Sequence, residues 1–167
     1  FAMNLDPDTA KQLEGKPGVI LDNGLSMSML YLALNTRPEI SEATSSQAFR
    51  QAVLHAIDFE GLQAAVGGGA ATAPGIISYG LLGAGEAEPY TYDVDLAKQL
   101  LADAGFADGV TLDMHYGNIT QFSVDFNVVA QKLQADLAQI GVTLNLLPEE
   151  FTVWITPYRA GELGITV

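Results

Sequence analysis

Strict alternation marks one segment clearly: Val110, Leu112, Met114 and Tyr116 alternate with Thr111, Asp113 and His115, the period-two pattern of a half-buried strand. Helical spacing governs its neighbours. Leu96, Ala97, Leu100, Leu101 and Ala104 form one stripe of a helix opened by Asp93 and stopped by Gly105. Phe126, Val129, Ala130, Leu133, Leu137 and Ile140 line a longer helix, with Ser123 as the expected cap and Gly141 as the stop. Val142, Leu144 and Leu146 give the next strand. A last helix is expected over about Glu149 to Ala160, kinked or shortened at Pro157 and broken by Gly161 before a terminal strand.

Helix, strand, helix, strand, helix and strand thus alternate through the second half. Gly109-Val110-Thr111-Leu112 recurs as Gly141-Val142-Thr143-Leu144, each after an amphipathic helix. A strand–helix–strand unit of this length implies parallel pairing with a right-handed crossover. Upstream, a short helix is expected over Leu5 to Leu13, with Asp6 or Asp8 near its start. Strands are expected over Val19 to Asp22 and Ser28 to Asn35, around an Asn23-Gly24 turn. The doubly apolar run Met29 to Leu34 predicts a central strand. The stripe of Ala48, Phe49, Ala52, Val53, Ala56 and Ile57 predicts a helix over about Ser45 to Ile57, capped by Thr44 or Ser45. A weaker helix follows from Phe59 to Val66. The Gly-rich segment of about 67–89 reads as an ordered surface loop. The pattern as a whole predicts an α/β lobe, a mixed sheet flanked by helices, as a single domain over 1–167.

The totals narrow the functions open to such a lobe. Seven Lys and Arg face twenty Asp and Glu, a net charge of −13. Nucleic acid needs cations to displace its counterions, so it is not an expected partner. There is no cysteine, which removes thiol catalysis, disulfides and thiolate metal sites. The longest uncharged stretch, Gly61 to Gly85, holds eight of the seventeen glycines and does not read as a membrane span. No signal peptide is visible, and Gly164-Ile165-Thr166-Val167 reads as a strand cut in mid-element; an excised domain is the expectation.

The chain offers little that could be catalytic. His55 and Asp58 share a helix face, and His115 and Asp113 share a strand face, but neither pair comes with a placed nucleophile. No zinc signature occurs, and neither metal nor cofactor is expected. Gly67-Gly68-Gly69 lacks the Lys-Ser/Thr of a phosphate loop and closes a helix instead of opening one. Glu149-Glu150 reads as negative charge at a helix start, and Trp154 with Tyr158 reads as core packing. The loop Gly117 to Phe122 has a better claim. It joins the end of a parallel strand to the next helix, where ligands of open sheets gather. Tyr116, Asn118, Thr120 and Gln121 supply its aromatic and polar groups.

Several blocks resemble one family. Leu32 to Thr36 resembles a "Leu-x-Leu-Asn" strand, and Phe49 to Asp58 resembles a "Val-Arg-x-Ala-Leu-x-x-Ala-Ile-Asp" helix. Gly69 to Gly75 resembles a "Gly-x-Ala-x-Pro" loop. Tyr92 to Gly105 resembles "Tyr-Asp-Pro-x-x-Ala-Lys-x-Leu-Leu-x-x-Ala-Gly", and Val129 to Leu144 resembles a later helix and strand. Together they are similar to solute-binding proteins of ABC importers, family 5, the peptide- and nickel-binding type. Phe49, Val53 and Val94 depart from the commoner residues.

The resemblance implies a type II periplasmic-binding-protein lobe, most of the C-terminal one of two. Such a lobe would capture an oligopeptide or similar solute against a missing N-terminal lobe and deliver it to ABC permease transmembrane subunits. It would be periplasmic in Gram-negative bacteria, or extracellular and lipid-anchored in Gram-positive ones. No enzyme activity is implied. The expected ligand contacts are Asn35 and Thr36, at the family's strand–hinge junction, with Tyr116, Asn118 and Gln121. The competing readings are a small α/β hydrolase using His115 and Asp113, and a non-transport ligand sensor on the same fold.

Overall fold

A computed structural model of the chain describes residues 5, 7–22, 24, 27–67, 70–73, 75–85 and 91–167. The order is α1 (Pro7–Leu13), β1 (Ala33–Leu34), α2 (Glu42–Ser45), α3 (Gln47–Ala56), α4 (Phe59–Ala65), α5 (Val94–Asp103), β2 (Val110–Gly117), β3 (Thr120–Gln121), β4 (Val124–Asp125), α6 (Phe126–Ala138), β5 (Val142–Glu149), α7 (Phe151–Ala160) and β6 (Ile165–Thr166). The main sheet runs β1-β6-β2-β5, and β3 and β4 form a separate hairpin. β2 is parallel to β5 and to β6, while β1 is antiparallel to β6, so the sheet is mixed as expected.

The two copies of Gly-Val-Thr-Leu lie side by side. Val110 pairs with Val142, Thr111 with Thr143 and Leu112 with Leu144, and the register continues to Gly117 and Glu149. Both glycines before the strands take positive φ, 87° at Gly109 and 89° at Gly141. A Cβ on Gly109 would come within 2.6 Å of the Gly141 carbonyl oxygen. That oxygen accepts a hydrogen bond from the Val110 N–H at 3.1 Å. The repeat is therefore a doorway through which two strands enter the sheet at the same level.

Alternation then sorts the side chains. Met114 and Tyr116 on β2 and Val142 and Leu144 on β5 join one core with Phe49, Ala52 and Val53 of α3, Ala97 and Leu101 of α5, and Val129, Leu133 and Leu137 of α6. Thr111, Asp113, Thr143 and Asn145 face outward. Phe106 meets Phe49 edge-on at 5.7 Å, locking the turn after α5 onto α3. On α5 Leu101 takes the fully buried place and Leu100 a partly buried one.

Caps fix where the helices start. Asp93 caps α5 as expected. Ser46, one residue beyond the expected Thr44 or Ser45, accepts from the Phe49 N–H at the start of α3; Ser41 caps the extra turn α2. Asp125 opens α6 in place of Ser123, because Ser123 sits in the preceding hairpin turn with φ 63°. Asp58 caps α4 through the Gly61 N–H at 2.9 Å. That bond, with the Lys132 ammonium 3.2 Å away, holds its carboxyl below the ordinary range. Lys132 also grips Asp136 on its own helix at 2.5 Å. Burial alone would lower the Lys132 pKa, and the two carboxylates outweigh it and raise it.

Several expectations differ from the structure. Val19 to Asp22 is not a strand. The run ending at Leu34 contributes a two-residue edge strand where a central one was expected, because β6 and β2 hold the interior of the sheet. Pro157 lies inside α7, which runs past it to Gly161 at φ 66°. Glu149 closes β5 and Glu150 caps α7 without a side-chain bond, so the pair does not open the helix together. Asp6, Asn23, Gly68, Gly69 and Glu86 to Pro89 lie outside the described residues.

The doorway yields a comparison. Gly105 (φ 91°) has open space where a Cβ would go, so Gly105→Ala should cost about 1–2 kcal/mol, the left-handed penalty alone. Gly109→Ala adds a clash with backbone and should cost more. Urea unfolding of the two variants, equal within error, would show that the strands do not depend on this approach.

Candidate aromatic groove

At the carboxyl ends of β2 and β6 the surface opens into a groove of about 180 Å³. α7 supplies Trp154 and Tyr158, the segment before β1 supplies Met29, Leu30 and Tyr31, and Val167 follows β6. The β3–β4 hairpin supplies Gln121 and Phe122, and Phe126 begins α6. None of these lining residues is charged.

Trp154 is the floor. It is 6% exposed, and its indole N–H donates to the Thr166 hydroxyl at 2.9 Å. Gly117 closes β2 beneath it; a Cβ there would lie 3.0 Å from the indole ring. Tyr158 tilts against Trp154 with ring centroids 4.8 Å apart, one helical turn on. The Tyr158 hydroxyl is hydrogen-bonded to that of Tyr31. That bond first, and burial second, push its pKa up to about 12.

The hairpin is held by a polar network. Asn118 donates its N–H to the Glu149 carbonyl at 2.7 Å. The Asn127 side-chain amide donates to Asn118 Oδ1 at 2.8 Å and to Asp125 Oδ1 at 3.0 Å. The Tyr116 hydroxyl donates to Asn127 Oδ1 at 3.1 Å. Burial, and then the Asp125 charge, raise the Tyr116 pKa. Between the paired residues Gln121 and Val124 stand Phe122 and Ser123, at φ 53° and 63°. Two-residue hairpin turns of this kind favour Asn-Gly. Each non-glycine residue there carries about 1–2 kcal/mol of strain. The Ser123 hydroxyl offsets part of it by donating to the Leu5 carbonyl at 3.1 Å.

Among the expected contacts, then, Gln121 lines the groove and Tyr116 and Asn118 support its hairpin from beneath. Asn35 and Thr36 lie at the other end of β6. The Asn35 amide donates to the Gly161 and Leu163 carbonyls at 2.8 and 3.0 Å, and its N–H donates to Gly164 at 2.9 Å. Its side chain is a clamp between β1 and the turn after α7, and Thr36 is exposed beside it. The sequence reading missed Trp154, Tyr158, Phe122 and Tyr31. Trp154 and Tyr158 stand four apart on one helical face, a signal equally given by core packing.

The possible catalytic pairs disperse. His55 Nδ1 donates to the Thr91 carbonyl at 2.8 Å, while Asp58 faces Lys132. His115 Nδ1 is 2.8 Å from the Glu149 carboxylate, and Asp113 accepts from Asn145 at 2.8 Å. The hydrolase arrangement of His115 with Asp113 is thus not favoured. A larger, polar hollow of about 330 Å³ lies on that outer face, between Thr111, Asp113 and His115 and the turn Glu162 to Gly164.

An open aromatic groove at the carboxyl edge of parallel strands is the kind of place where ligands of open α/β sheets gather. Comparison with known proteins gives the family. Residues 1–167 match bacterial extracellular solute-binding proteins, family 5 (middle), and the chain belongs to that family. It is 31% identical over 163 residues to Heme-binding protein A of Haemophilus influenzae, covering 93% of this chain and 28% of that protein. It is 28% identical over 116 residues to the Dipeptide-binding protein of Escherichia coli, covering 68% of this chain and 22% of that protein. The structure of HbpA2 from Haemophilus parasuis superposes with a TM-score of 0.82 at 27% identity, over 96% of this chain and 32% of that one. The chain therefore spans less than a third of the length of these relatives, and its fold is that of a periplasmic-binding-protein lobe.

The tyrosine pair has a pH signature. A raised pKa means that Tyr158 supports the fold fully below the unfolded value near 10 and loses that support as pH climbs toward about 12. Spectrophotometric titration should show one tyrosine ionising about two units late, and Tyr31→Phe should bring it back toward 10. An unchanged late step in that variant would detach the shift from Tyr31.

Proposed function

We propose that this chain is part of the substrate-binding component of an ABC importer. It takes one side of an oligopeptide or similar solute, which a facing lobe of the same protein covers, and the closed complex docks on the permease transmembrane subunits. The observation that carries this reading is an open aromatic groove at the carboxyl edge of a lobe that matches an extracellular solute-binding family along its whole length. A one-sided groove is what a clam-shell site leaves on each half. Apart from its facing lobe, the groove buries too little apolar area to offset the entropy of association. Tight binding therefore belongs to the intact protein, outside the cell or in the periplasm, and no chemical step is assigned to the chain.

A haem-type solute is the second reading. It is supported by the similarity to Heme-binding protein A along 93% of the chain. A sensor role on the same fold would need a signalling partner in place of the permease.

The intact protein should retain solute through purification, and mass spectrometry of the denatured protein, with an absorbance scan for haem, identifies it. Gln121→Ala should then weaken that solute about 2- to 10-fold by calorimetry, the worth of one hydrogen bond, without shifting the melt. Equal affinities would remove Gln121 from the site.

A further inference from the structure

We infer that the groove is a subsite for an uncharged, apolar group of the solute, flat by preference, and that Phe122 is the residue that selects it. The inference rests on the solute-binding reading above and narrows it.

The first support is size. Whole-ligand pockets run to about 300–1,000 Å³, so 180 Å³ suits one group of a solute rather than all of it. The second is chemistry. Most polar atoms of the aromatic wall are already engaged within the lobe: the Trp154 indole N–H donates to Thr166, and the Tyr31 and Tyr158 hydroxyls share one hydrogen bond, which leaves a single O–H to donate. A charged group entering here would leave water and meet no counter-charge, because no lining residue carries one. Aromatic rings on three sides instead offer their faces to an apolar one. The Gln121 amide at the rim leaves room for one polar contact at the edge of that group.

The third support is the backbone of Phe122. A glycine would suit φ 53° better, so the turn does not explain a phenylalanine there. The ring is 51% exposed and is not needed to fill the core. The hairpin beneath it is nevertheless pinned by Asn118, Asn127 and Asp125, which fix where the ring stands. A strained, exposed aromatic held rigidly at the rim of an aromatic groove is placed for contact with something outside the lobe.

The test uses the intact protein and an equimolar panel of dipeptides, Ala-Phe, Ala-Leu, Ala-Ala, Ala-Lys and Ala-Glu, read by native mass spectrometry and calorimetry. Ala-Phe and Ala-Leu should bind at least about tenfold tighter than Ala-Ala, the worth of a filled apolar pocket. Ala-Lys and Ala-Glu should bind no better than Ala-Ala. Phe122→Gly should collapse the preference, bringing Ala-Phe and Ala-Leu to within about twofold of Ala-Ala, with the melting temperature unchanged or raised; Phe122→Leu should keep part of it. Binding without apolar preference, or a preference that survives in Phe122→Gly, overturns the inference and leaves the solute-binding reading intact. A large drop in melting temperature for Phe122→Gly with unaltered binding also overturns it, since the ring would then pack against the protein's own chain. A protein that takes none of the panel overturns the peptide reading and this inference with it.

Discussion

The in-register parallel pairing of β2 with β5 is the constraint on which the rest of the lobe depends. It brings two glycines of positive φ together, and so closely that a Cβ on Gly109 would collide with the Gly141 carbonyl oxygen. Both strands then run eight residues from a common level, and both finish at a common edge, Gly117 beside Glu149. Everything proposed as functional hangs on that edge. Trp154 lies over Gly117, the Asn118 N–H binds the Glu149 carbonyl, and the hairpin that carries Phe122 follows directly.

Rigidity at the edge and openness above it serve different ends. The network of Tyr116, Asn118, Asp125 and Asn127 spends its hydrogen bonds inward, which leaves a surface with few polar demands of its own. Such a surface gains by covering apolar area and discriminates against charge through desolvation instead of repulsion. The residues that line the groove carry none of the acidic side chains behind the net charge of −13.

Much of the second half was legible in the sequence because its signals are local. Alternation in β2, the stripes of α5 and α6, the Asp93 cap and the repeated Gly-Val-Thr-Leu each report contacts within a few residues or one repeat. The segment before β1 was misread for the complementary reason. Met29 to Leu34 is apolar on both faces, but Tyr31 meets Tyr158 of α7, 127 residues on, and Ala33 and Leu34 pair with β6, so the run reads as a central strand and folds as a groove wall with a short edge strand. Ser123 looked like a cap until the hairpin turn claimed it. Asn35 looked like a ligand contact because strand ends often are; its amide instead meets two carbonyls that no pattern in the sequence predicts. The groove was half visible, through Gln121 and the loop around it. Its aromatic half required α7 to be laid across the end of β2, a tertiary fact.

The central claim is that solute meets this lobe at the carboxyl edge. A crystal structure of the intact protein with the solute it retains through purification tests it most directly. The account predicts solute density against Phe122, Trp154 and Gln121, covered from the far side by the facing lobe. Density at the Asn35 or His115 end of the sheet, with the aromatic groove filled by the protein's own side chains, would contradict it.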